Sequence, residues 1–174
     1  EEYPGHQFIV LHGFSCEHCT LETLTMNEMH LFLGPTWLIS VHQESTAQLV
    51  AATQKVQADP QGTLGRGVDF VAYLLSDALV DANFALMDAF NDELEDLQDS
   101  MFAKPSETLL HRAFALKRQL VLLRRVMSPQ RDVVGLLARN GIAHVSDRTS
   151  LYFRDIFDHL IRLYEQIESA RDML

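Results

Sequence analysis

Only two cysteines occur in 174 residues. That is too few for a disulfide framework, so a reducing compartment is the expectation. No run of 18 apolar residues exists, and the longest tidy stretch covers residues 70–75. The chain as given is therefore not expected to span a bilayer. Basic residues are the scarcer charge: 14 Lys+Arg against 24 Asp+Glu leave a net charge of −10 and a pI near 5.1. This balance disfavours nucleic acid as a partner. It suits metal cations, basic partners or plain solubility. What remains is ordinary globular composition, 47% hydrophobic and 22% charged, which excludes disorder and collagen-like repeats. The length fits one domain, or one domain with a helical extension. Glu1 stands where a start methionine would be, with no secretory h-region after it. We therefore expect a piece excised from a longer protein.

Residues 1–65 read as the end of an α/β domain. Residues 6–12 form a short β-branched run between Gly5 and Gly13. Residues 29–33 and 37–41 flank the turn dipeptide Gly34-Pro35, which predicts a three-stranded antiparallel meander. Three strands and one helix make a thin core with an open edge, so further strands are expected upstream. Ser45 and Gln48 form a capping-box pattern before a helix over 46–58. A glycine-containing linker over 61–67 follows.

The helical region covers 66–174. Apolar residues recur every three or four positions over 68–102. Ser106 is the expected N-cap of a second helix, kinked at Pro129 and ended by Asn140-Gly141. These two helices form a hairpin over 66–140. A third helix begins near Asp147 or Ser150 and still runs at Leu174, with the stripe Phe153, Ile156, Leu160, Leu163, Ile167 and Ala170. Such a stripe needs a partner, either the hairpin or copies of itself around a symmetry axis. Charge is segregated: residues 66–102 carry a net −8 and residues 106–140 a net +5. A turn centred on Lys104 sets Asp96 against Arg112 and Asp92 against Lys117. The hairpin faces are then complementary, and the surplus acids attract divalent cations.

Motifs that carry chemistry are few. Cys16-Glu17-His18-Cys19 is a lone C-x-x-C with an internal histidine. Zinc usually needs two such pairs, so the motif reads first as structural or incidental, then as a zinc site, with a redox role last. Asp155 and His159 share a helix face at i, i+4, with Asp158 beside them, and offer a carboxylate and an imidazole to a metal. A solvated polar face is the plainer alternative. Asp77 and Asp81, also at i, i+4, lie in an otherwise apolar stretch and need either a cation or a base. Arg131 is the base that the hairpin pairing supplies. The nucleophile elbow, phosphate loop, Rossmann fingerprint and paired Glu-x-x-His motifs are all absent, so no enzyme is expected.

Several ordered blocks point to one family. They are Tyr73-Leu74-Leu75-Ser76-Asp77-Ala78-Leu79-Val80-Asp81, then Leu116-Lys117-Arg118-Gln119-Leu120-Val121 with Leu123-Arg124-Arg125. Pro129-Gln130-Arg131-Asp132-Val133 and Tyr152-Phe153-Arg154-Asp155-Ile156-Phe157-Asp158-His159 follow. The strand region, including Val41-His42-Gln43-Glu44, fits as well. The chain resembles the cytoplasmic domain of CorA-type magnesium channels over nearly its whole length. The resemblance implies an α+β fold: part of a sheet domain, a long helical hairpin and a stalk helix over 147–174. It implies a homopentamer in the inner membrane, with two transmembrane helices per subunit and a Gly-Met-Asn pore signature beyond Leu174. This part would lie on the cytoplasmic side.

The same resemblance gives Asp155 a role in binding a regulatory magnesium ion between subunits, opposite an acidic residue upstream of this chain. Asp77 is a second acidic position at that boundary, and Asp81 and Asp158 are further metal candidates. Arg154 would orient or neutralise nearby acids. Magnesium would be both sensed and carried, with cobalt as a second transported ion. Two alternatives stand beside this: the cytoplasmic domain of a ZntB-type zinc transporter, and a helical scaffold with no membrane portion.

Overall fold

The computed structural model describes residues 1–16, 24–43 and 46–174. Four strands form one antiparallel sheet in chain order: β1 (Glu2–Tyr3), β2 (His6–Cys16), β3 (Leu24–Leu33) and β4 (Leu38–His42). The expected meander is β2 to β4. The additional β1 has two residues, too few to show an alternating pattern. β2 and β3 pair from Gln7↔Leu33 to Cys16↔Leu24. That register puts Ile9, Leu11, Met29, Leu31 and Leu33 on the buried face. The chain reverses at Gly34, whose N–H donates to the Trp37 carbonyl at 2.9 Å. A Cβ on Gly34 would overlap the Trp37 indole. Residues 17–19 of the C-x-x-C motif lie outside the described residues.

β1 covers only one end of β2. Farther along that edge the His12 N–H donates to Gln130 Oε1 at 2.6 Å, and the Phe14 N–H donates to Asn83 Oδ1 at 3.1 Å. Phe14, Asn83 and Gln130 are all buried. Asn83 in turn donates to the Leu79 and Val80 carbonyls at 3.2 and 3.1 Å. Helix side chains thus satisfy two strand donors that no neighbouring strand covers, one buried and one part-buried.

Four helices carry the rest: α1 (Ala47–Ala58), α2 (Val68–Ala103), α3 (Glu107–Leu137) and α4 (Asp147–Asp172). α1 is capped by Thr46, whose hydroxyl accepts from the Leu49 N–H at 3.3 Å. The expected cap, Ser45, lies outside the described residues. Ser106 caps α3 as expected, accepting from the Leu109 N–H at 3.3 Å. Ser146 caps α4 through the Thr149 N–H at 3.2 Å. Pro129 sits inside α3, which continues through it to Leu137. By length and composition α2 could cross a membrane, but more than half of its apolar window is buried within the fold. Core packing accounts for that apolarity.

The partner of the α4 stripe is the hairpin. Phe153, Ile156, Leu160, Leu163, Ile167 and Ala170 are all buried, each large side chain contributing about 1.5–3 kcal/mol. α4 packs along both α2 and α3, which touch one another less than either touches α4. This changes the charge pairing expected from a simple hairpin. Arg112, expected opposite Asp96, engages Glu93, three residues farther from the hairpin tip. Arg124 turns to Glu168 of α4 at 2.5 Å. Arg131 bonds to its neighbour Asp132 at 3.1 Å and lies over the Tyr164 ring. It does not serve Asp77 or Asp81, because α4 stands in that position.

Candidate metal centre

α2 is antiparallel to α3, and α3 to α4, so α2 and α4 run parallel. Three contacts report one constant register along them. At their starts, the Asp69 carboxylate accepts from the Ser146 N–H and hydroxyl at 2.9 and 2.7 Å. Burial opposes this charge, but the bonds from Ser146 and Thr149 hold Asp69 below the usual carboxylate pKa range. Gly67, at φ +120, carries the chain into α2 immediately before this turn. One turn on, Tyr73 and Tyr152 pack with ring centroids 5.1 Å apart. Arg66 lies over the Phe70 ring at 3.6 Å and donates to the Tyr152 hydroxyl. This adds a cation–π contact to the same junction.

Further along, the helices bring together Asp77, Asp81 and His159. One ligand atom from each lies within 4.8 Å of the others. His159 Nδ1 is 2.8 Å from Asp81 Oδ1, and its ring stands edge-on to Phe84 at 5.6 Å. The Tyr73 hydroxyl donates to Asp77 Oδ2 at 3.5 Å. The Asp77 carboxyl is pushed above its usual range, first by burial and then by the Asp81 charge, with Asp155 adding to both. His159 and the Tyr73 hydroxyl offset part of this. The Tyr73 hydroxyl is pushed up to about 12, by burial and then by Asp77 and Asp155. It stays a neutral donor at physiological pH.

The two pairs expected from helical spacing thus meet in part. Asp77 and Asp81 join with His159, the helix neighbour of Asp155. Asp155 is exposed on α4 and contributes through its field on Asp77 and Tyr73. Asp158 lies outside the group. Arg154 does not face the acids: its Nε donates to the Ala138 carbonyl at 3.3 Å, at the end of α3. Sequence reasoning left His159 without its partner. The signal available was the matching i, i+4 spacing in two helices that run parallel.

Two carboxylates and one imidazole, with Asp77 and His159 half-buried and Asp81 exposed, lie close enough for a single cation to reach all three. These residues sit at the α2–α4 junction of a small sheet docked on a long helical hairpin, with a third helix laid along the hairpin. The chain belongs to the family of CorA-like Mg2+ transporter proteins, whose model matches residues 1–174. That family is one of transporters, not enzymes.

Among relatives, the chain is 33% identical to a putative metal ion transporter, YfjQ, of Bacillus subtilis, over 99% of this chain and 52% of that protein. It is 28% identical to the cobalt/magnesium transport protein CorA of Thermotoga maritima, over 100% of this chain and 49% of that protein. The chain therefore spans about half the length of the curated relatives it matches. Its fold is that of the soluble domain of CorA from Methanocaldococcus jannaschii. The TM-score is 0.84 at 19% identity, covering 99% of this chain and 68% of that one.

Proposed function

We propose that this chain is the magnesium-sensing cytoplasmic part of a divalent-cation channel in the inner membrane. Magnesium is the regulatory ion and also the cargo, with cobalt as a second cargo. The full-length protein is a homopentamer whose pore lies beyond Leu174. The observation that carries this reading is the cluster of Asp77, Asp81 and His159 beside Asp155, in which burial and like charge hold Asp77 against its ionised form. Such a site gains from a cation what it lacks in counter-charge.

Magnesium keeps most of its waters and takes one or two carboxylates directly. Asp155, exposed beside the cluster, shares a hydrated ion with the neighbouring subunit. With the ion bound, facing carboxylates are screened and adjacent subunits are clamped. Without it, like charges oppose one another and the ring loosens towards a conducting state. The ion closes the pore only to the extent that it binds the closed ring better. His159, bonded to Asp81, orients that carboxylate and leaves its remaining oxygen for a magnesium-bound water.

Limited proteolysis of the full-length protein tests this reading. Magnesium should protect the wild type, and Asp155→Asn should lose most of that protection. Equal protection in both proteins would remove Asp155 from the site. The ZntB alternative shares the fold and is separated by the pore signature: Gly-Met-Asn downstream supports magnesium, and an altered middle residue supports zinc.

A further inference from the structure

The sheet carries a second cluster that the α2–α4 site does not use. His12 and Glu28 are direct partners across β2 and β3, and His30 lies two residues beyond Glu28 on β3. Period-two alternation puts all three on one face. That face is opposite the one where Ile9, Leu11, Met29 and Leu31 are buried. The side chains of His12, Glu28 and His30 are 23%, 48% and 36% exposed, so solvent reaches all three. His12 Nε2 is 3.0 Å from Glu28 Oε1, and His30 Nε2 is 3.3 Å from Glu28 Oε2.

We propose that His12, Glu28 and His30 form a separate metal site on the outer face of the sheet, one that takes a borderline transition-metal dication such as Zn2+ rather than Mg2+. Glu28 lies opposite His12, about 5 Å away at Cβ, and two residues from His30 on its own strand, so its carboxylate links two imidazoles that are diagonal neighbours about 7–8 Å apart. Zinc bonds of about 2.0–2.2 Å in a tetrahedral shell put neighbouring ligand atoms roughly 3.3 Å apart. The two nitrogen–oxygen separations match that spacing, whereas the two imidazoles still stand farther apart than ligands of one ion and have to close on it. The imidazoles now approach different oxygens of one carboxylate. Binding requires Glu28 to turn one oxygen towards the ion, so that both Nε2 atoms close on it and water completes the shell. The carboxylate is held ionised, chiefly by its bonds from His12 and His30. The edge of the Phe8 ring against His30, 5.6 Å between centroids, restrains that imidazole. Two nitrogen donors set the metal class: imidazole suits zinc, copper and nickel, whereas magnesium demands oxygen. The sheet site stands independently of the magnesium-sensing role, since no residue is shared between the two clusters.

The test is Zn2+ binding to the metal-stripped 174-residue chain, followed by competition with a chromogenic chelator and by the visible absorption of bound Co2+. The starting variant is Cys16→Ser/Cys19→Ser/Asp77→Asn/His159→Gln, which removes the C-x-x-C thiols and the α2–α4 site. It should still bind one Zn2+ per chain, undisturbed by excess Mg2+. Adding His12→Gln or His30→Gln should weaken Zn2+ by about tenfold or more, since loss of even an outer-shell partner costs that much, and should abolish the Co2+ band. Glutamine keeps a polar group against Glu28, and an unchanged melting temperature in metal-free buffer shows that the sheet is intact. Loss of Zn2+ in the starting variant, or unchanged Zn2+ affinity after either glutamine substitution, overturns the proposal.

Discussion

Asp77 lies half-buried beside Asp81, and both its burial and that neighbour raise its pKa. The folded chain therefore holds a proton on Asp77 at pH values where the unfolded chain has released it. Stability falls as pH rises from the ordinary carboxylate range through the raised value, and the ionised form weakens the fold at neutral pH. Asp77→Asn should raise the melting temperature of the metal-free chain at neutral pH and abolish the rise that magnesium gives the wild type. A lower melting temperature with the magnesium response retained would contradict the reading. Asp69 has the opposite sign. Its lowered pKa gives stability above the unfolded value, lost as pH falls through the folded one. Asp69→Ala should cost about 1–3 kcal/mol at neutral pH and flatten the acid side of the stability profile, read by urea unfolding across pH. Helical spacing alone placed Asp77 with Asp81 and Asp155 with His159. It could not say which helix face would meet which, because that depends on a third helix entering the hairpin.

At the scale of elements, the Ser106 cap and the Gly34 turn were legible because they depend on chemistry a few residues apart, while α1 took Thr46 as its cap in place of Ser45 and the Ser146 cap went unread. Ser106 and the Gly34 turn are local facts, and the sequence carries them. Asn83 and Gln130 are not local. Each is a polar residue in a helix, and its purpose is a donor on β2 more than 60 residues away. Nothing in the local pattern points there. Replacing either with leucine keeps the volume and removes the acceptor, leaving the His12 or Phe14 N–H without its partner. Asn83→Leu and Gln130→Leu should each cost about 1–3 kcal/mol, seen as a lower urea midpoint with an unchanged slope. No loss in either variant would show that those strand donors find other partners. The same long-range geometry misdirected the expected charge pairing: Arg131 bonds to Asp132 and not to Asp77 or Asp81.

At the scale of the whole molecule, α4 joins the Asp77–Asp81–His159 cluster to the rest of the fold. Its buried stripe fixes it along the hairpin, and its start is bound to α2 through Asp69 and Ser146. The cluster sits along that same parallel pair. A charge change at Asp77, Asp81 and His159 therefore acts on the position of a helix, not on a loose surface group. In the proposed pentamer α4 leads into the pore, so cation occupancy at its root becomes pore state. The direct measurement is magnesium flux through the full-length protein in liposomes, with magnesium varied on the cytoplasmic side. Wild-type flux should fall as cytoplasmic magnesium rises, and flux through Asp77→Asn/Asp155→Asn should persist at concentrations that shut the wild type. Identical inhibition of the two proteins would contradict a sensor built from these carboxylates.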